Sequence, residues 1–76
     1  MKGFLENKIY HNGSTVLKAK AYKGDKVIFA RLNGDGSEFD YVMGSGVVFD
    51  GNNVSWLWGT YPMHHDWEKA VKLLRG

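Results

Sequence analysis

Several short stretches of this chain combine residue types that could do chemistry. His64-His65-Asp66 sets two imidazoles and a carboxylate in a row. Neighbouring residues at a helix entry rarely aim at one ion, and no HExxH or His-x-His spacing accompanies them. His11, the remaining histidine, falls in the first turn. We therefore expect no metal, with Asp66 acting as a helix cap. Asn33-Gly34-Asp35-Gly36-Ser37-Glu38 offers oxygens at alternating positions, as calcium loops do. It lacks the full loop length, the closing bidentate glutamate and the flanking helices of such a site, and reads as a connection. Gly44-Ser45-Gly46 lies inside a strand-like run, whereas a phosphate cradle opens a helix and carries a lysine.

Nucleophilic catalysis finds no better footing. There is no cysteine, and Ser14, Ser37 and Ser55 have no histidine and acid at a telling spacing. Ser45 is expected to face the core beside Trp58. Asp40, the best candidate general base, falls opposite Arg31 and reads as half of a structural ion pair. A chain of 76 residues also lacks the loops from which a concave active site is usually built. The expectation is a protein that is not an enzyme and takes no cofactor.

The length bounds the rest. A single domain spanning 1–76 buries only ~60% of the surface of its unfolded chain, so its core must be rich in large side chains. Three Trp, four Tyr and four Phe supply them. The absence of cysteine removes any disulfide framework and fits a reducing compartment, which makes the cytoplasm the expected location. The opening run is too short for a secretory signal, and no stretch approaches the ~20 apolar residues of a membrane span. Net charge is +2 but segregated. Residues 1–32 carry seven Lys/Arg against two acids, while 33–66 carry five acids and no Lys or Arg. Such segregation can orient a charged partner.

Turn residues at Asn12-Gly13, Lys23-Gly24-Asp25, Asn33-Gly34-Asp35-Gly36 and Asp50-Gly51-Asn52-Asn53 separate runs rich in β-branched and aromatic residues. That rhythm marks an antiparallel meander. Strands are expected near 4–10, 15–22, 26–32, 39–49 and 54–61, so the sheet occupies about 4–61. A helix follows over about 66–75, where Trp67, Ala70, Val71 and Leu74 recur at helical spacing. Asp66 is a good N-cap and Gly76 a good C-cap.

Threading the turns assigns faces, because directly paired residues share one. One face collects Leu5, Ile9, Leu17, Ala19, Ala21, Ile28, Ala30, Leu32, Phe39, Tyr41, Met43, Val47, Phe49, Val54, Trp56 and Trp58, and is expected to be the core beneath the helix. A three-residue loop His11-Asn12-Gly13 would set the first hairpin. The same threading pairs Arg31 with Asp40, Glu6 with Lys18, and Gly44 with Gly59.

The second face is basic and aromatic at one end, through Lys18, Lys20, Tyr22, Phe29 and Arg31. At the other end Val42, Gly44, Gly46, Leu57 and Tyr61 form an apolar trough that no second helix covers. Three readings remain open. The sheet curls into a partly closed barrel, with Gly44 and Gly46 at the bend. Alternatively the face binds a protein, either another chain or a second copy in a homodimer. In the third reading it binds nucleic acid, with Lys18, Lys20 and Arg31 on phosphates and Tyr22 and Phe29 stacking bases.

The run from Tyr41-Val42-Met43-Gly44 to Leu74 goes strand, Asp50-Gly51-Asn52 turn, strand ending Trp58-Gly59-Thr60-Tyr61, then helix with Ala70-Val71. In this the C-terminal half resembles small domains encoded by phages and integrated mobile elements. The resemblance implies a host-directed factor, such as an inhibitor of bacterial defence, that acts by binding. The positive net charge departs from the acidic surface common in DNA mimics. The combined expectation is an α+β domain, a five-stranded twisted antiparallel meander with one C-terminal helix on one face. It binds a protein through the ten residues of the basic patch and trough. Nucleic acid and self-association are the alternatives, and no membrane contact is expected.

Overall fold

The computed structural model describes residues 3–76, without the side chains of 60–64. Its strands are β1 (Ile9–Asn12), β2 (Thr15–Lys23), β3 (Lys26–Leu32), β4 (Glu38–Ser45), β5 (Val48–Asp50), β6 (Asn53–Ser55) and β7 (Trp58–His64), followed by α1 (Trp67–Arg75). They form one sheet in the order β5-β6-β1-β2-β3-β4-β7. All neighbours are antiparallel except β1 and β6. The α+β class and the C-terminal helix are as expected. Five strands is an undercount, and the sheet does not close into a barrel.

The helix forms where its periodicity and caps direct. The Asp66 carboxylate accepts the Glu68 N–H at 2.9 Å, and the Gly76 N–H donates to the Lys72 carbonyl. Ala70 and Leu74 pack on Ile28 and Met43, flanked by Ala21, Tyr41 and Val71. The small side chains of Ala21 and Ala30 are what let a helix approach the sheet closely.

The extra strands arise from one long hairpin that folds over. Ser45 pairs with Trp58 and Gly44 with Gly59, while beyond a break Val48 pairs with Ser55 and Phe49 with Val54. This is a single register, as the turn at Asp50-Gly51-Asn52 dictates. Between the two halves, Gly46 takes φ +66°, a conformation that L side chains rarely adopt. The Gly46 and Val47 N–H groups there donate to the Asp25 carbonyl. The hairpin tip then crosses the face opposite the helix. It pairs with β1 through His11 and Asn53, and the Asn12 amide donates to the Val54 carbonyl at 3.1 Å.

Its side chains cover that face. Trp56 stacks on Phe29 at 5.4 Å between centroids, and Phe49 lies 4.8 Å from Tyr10. Val54 joins Tyr10, Leu17, Ala19, Val27 and Phe29 in the larger core cluster, with Phe4, Val42 and Val47 packed against it. The expected trough is therefore filled. Phe29, assigned to an uncovered face, is fully buried, as are Tyr10 and Val27. Phe49, Val54 and Trp56, assigned beneath the helix, lie on the other side.

A second departure lies in β2. Ala21 pairs with Ile28 as expected, but Ala19 pairs with Phe29 and Leu17 with Arg31, so the register shifts between Ala19 and Ala21. The extra residue is accommodated where Ala19 also bonds the preceding segment, accepting from Asn7 N–H and donating to the Lys8 carbonyl. A one-residue bulge exchanges faces along the rest of a strand, and here it moves Leu17 and Ala19 away from the helix. The first hairpin turns on two residues, Asn12 pairing with Thr15, and Lys18 faces Ile9 rather than Glu6. Leu5, Ile9, Phe39 and Trp58 are exposed rather than in the core. β1 begins only at Ile9.

A Cβ placed on Gly44 would lie 2.8 Å from Trp56 Cγ and Cδ2 and 3.1 Å from its Cβ. These atoms sit at the root of the side chain and cannot swing aside. Gly44→Ala should therefore lower stability by about 1–3 kcal/mol through overpacking. Chemical denaturation checks this; an open trough would instead leave alanine neutral or stabilising in a strand.

Candidate functional site

The ten residues singled out above do not form one surface. Phe29 and Gly44 are buried, and Val42 and Gly46 are partly covered. Leu57 closes over Gly46, with its Cβ and Cγ 3.2 Å from where a Gly46 Cβ would stand. Tyr22 is exposed but leans on Phe4, ring centroids 4.8 Å apart. The Tyr61 side chain lies outside the described residues. Lys18 and Lys20 stand on the other side of the sheet from Phe29, on the face that carries the helix.

The charged members are tied into the fold. Arg31 grips Asp40 with Nε and Nη2, each 2.7 Å from a carboxylate oxygen, and lies over the Phe39 ring. Asp40 is only 4% exposed, so this is the structural pair expected from the register. Lys20 Nζ donates to Glu38 Oε2 at 3.0 Å, Lys18 Nζ lies 3.6 Å from the same oxygen, and Tyr41 donates to Oε1. The Lys20 hydrogen bond is the main reason the Glu38 carboxyl titrates below the usual range. Burial, then the bond to Glu38, pushes the Tyr41 hydroxyl up. Lys20 also faces the Trp67 ring, and these residues line an open cleft of about 480 Å³ with Glu6 and Asn7.

Other candidates resolve similarly. Asp35 accepts from both Oγ and N–H of Ser37, which holds its carboxyl low, and Asn33 donates to Ser37 Oγ. The loop spends its oxygens on its own closure. His65 Nδ1 lies 2.9 Å from the Phe39 carbonyl, and the His64 side chain lies outside the described residues. Among the described residues no group of three or more His, Cys, Asp or Glu is placed to hold a metal ion. Among the described residues no helix is long and apolar enough to cross a membrane.

What the fold leaves unexplained is the outer side of the hairpin bend. Leu57 is 80% exposed and Trp58 72%, adjacent in the chain and at the start of the edge strand β7. Burying two such side chains would stabilise the fold, yet most of their surface stays in solvent. No family model matches the chain, and neither does any curated protein or solved structure. The site must speak for itself. Leu57 was legible in the sequence as a residue pointing away from the core. Trp58 was not, because alternation with Trp56 reads as one buried stripe until the break at Gly46 sets the two apart.

Proposed function

We propose that this protein is a non-enzymatic protein-binding module whose contact surface centres on Leu57 and Trp58. The observation that carries this is their joint exposure at a sheet edge, beside the bend where the hairpin leaves it. Large apolar side chains left in solvent mark candidate interaction sites, and tryptophan is among the residue types enriched at binding hot spots. An edge strand adds unpaired backbone groups that a partner chain can use. Glu38, Asp40, Lys18, Lys20 and Arg31 are instead engaged in ion pairs and Asp35 in loop closure, which favours binding over chemistry at these groups. The partner implied by the resemblance is a host protein.

The test uses the folded chain as bait, with Leu57→Asp and Trp58→Ala as matched variants. Both positions are solvent-exposed, so both variants should keep the wild-type circular dichroism spectrum and melting curve. A protein cross-linked by the wild type should bind each variant at least about thirty-fold more weakly, the mark of a hot spot. Equal binding by wild type and both variants, or no specific partner for the wild type, overturns the reading. Sedimentation of the free protein shows whether that partner is a second copy.

A further inference from the structure

Four neighbouring strands place a row of side chains beside Trp58. Lys23 of β2 pairs directly with Lys26 of β3, Lys26 with Ser45 of β4, and Ser45 with Trp58 of β7. Directly paired residues share a face. The row therefore runs across the end of the sheet on the helix side, and three strand spacings of ~4.8 Å separate Lys23 from Trp58 by roughly 14 Å. The helix ends against it: Lys23 Nζ donates to the Arg75 carbonyl at 3.0 Å, and Lys72 and Arg75 occupy the last turn. Lys23, Lys26, Lys72 and Arg75 are all exposed. The ion pairs among the described residues use Lys18, Lys20 and Arg31 and none of these four.

Like charges directly opposite each other in a sheet destabilise it, so the Lys23 and Lys26 pairing is a cost to the fold. Asp25 lies in the turn between them. Helix-end cations have an ordinary role beside the C-terminal carbonyls. That role does not explain why Lys23 and Lys26 stand side by side in a row that ends at an exposed tryptophan, with the cations of the last helical turn meeting the row at Lys23.

Resting on the protein-binding reading above, we infer that the partner presents an acidic segment with a large apolar side chain. The apolar side chain seats on Leu57 and Trp58, and its carboxylates face Lys26, Lys23 and Arg75. Charge complementarity selects the acidic partner and steers its approach. The exposed aliphatic side chain of Leu57 favours a peptide over a nucleic acid, whose bases reward stacking on aromatic rings.

Selection from a randomised peptide library against the folded chain tests this, followed by anisotropy with the enriched peptide. Acidic residues flanking an aromatic or aliphatic residue should be enriched. Replacing the peptide's acids by their amides should weaken binding about tenfold, and raising salt should weaken it further. Lys26→Glu should also cost about tenfold, whereas Lys8→Glu, the same change in net charge at a distant site, should cost little. Neutral or basic enrichment, no enrichment, or equal effects of Lys26→Glu and Lys8→Glu would overturn the inference. So would tighter binding of a mixed-sequence single-stranded oligonucleotide than of the peptide. If binding depends on Leu57 and Trp58 but not on Lys26 or salt, the protein-binding reading stands and the acidic partner falls.

Discussion

Phe29→Ala should cost about 3–5 kcal/mol, the range for truncating a fully buried phenylalanine. The ring is completely enclosed, with Trp56 stacked at 5.4 Å on one side and Phe49 at 6.4 Å. Removing it takes away the platform on which the folded-over hairpin rests, so the cavity borders both layers. A domain of 76 residues has roughly 4–11 kcal/mol of stability at the usual yield per residue, so the loss is a large fraction of the whole. At about 4–8 °C per kcal/mol the melting temperature should fall by at least about 12 °C. Phe29→Leu, which keeps most of the volume, should recover more than half of the loss. Thermal and urea unfolding of the three proteins decides the matter. A cost below about 0.5 kcal/mol is what an exposed sheet residue would give, and would mean that the hairpin does not cover this face in solution.

Arg31→Ala should be comparably damaging for a different reason. It strips the bidentate partner from Asp40, a carboxylate that is only 4% exposed and held by two bonds of 2.7 Å. An uncompensated buried charge costs about 3–5 kcal/mol, and the partial exposure of Arg31 places the expected value near the lower end. The Arg31 side chain also covers Phe39, so some packing is lost with it. Replacing both members, as in Arg31→Met with Asp40→Leu, should be markedly less destabilising than Arg31→Ala alone, because no charge is left stranded. Denaturant midpoints of the single and double variants measure the difference, and additive losses would contradict a coupled pair.

These two residues show how far local reasoning reaches in this chain. The Arg31 and Asp40 pairing follows from counting outward through the loop 33–38, which sets Leu32 opposite Phe39. It survives because the register shift between β3 and β4 falls just beyond it, at Leu32 and Glu38. Phe29 stands on a strand that alternates cleanly, and its row partner Val42 was also legible. What alternation does not say is what lies above that row. A strand of alternating residues defines two faces and is silent about which of two candidate covers goes to which.

The candidate surface divides in the same way. Leu57 could be found from its position between two tryptophans, whereas the basic row needs Lys23, Lys26, Ser45 and Trp58 placed side by side. Lys23 with Lys26 follows from a tight turn, Lys26 with Ser45 from the register that also pairs Arg31 with Asp40, and Ser45 with Trp58 from the long hairpin. The accompanying Arg75 joins only because the helix packs with its last turn over Lys23. Lys18 and Lys20 seemed to share a patch with Phe29 because the threading carried no bulge. The shift between Ala19 and Ala21 leaves them on the helix side, beside Glu38 and Trp67.

By itself the sequence determined the α+β class, where the turns fall, the capped helix, the Arg31 and Asp40 pair and the register of the last hairpin beside its turn. All of these rest on interactions between residues close along the chain or on periodicity within one element. Only the tertiary structure decided that the hairpin folds at Gly46 and that its tip joins β1. It also decided that one strand bulges at Ala19, leaving Leu57 and Trp58 at the surface. The physical reason is that burial is settled collectively. With apolar residues on both faces, the chain gains most by bending its own hairpin over the face the helix cannot reach, and that gain outweighs the loss of a continuous strand.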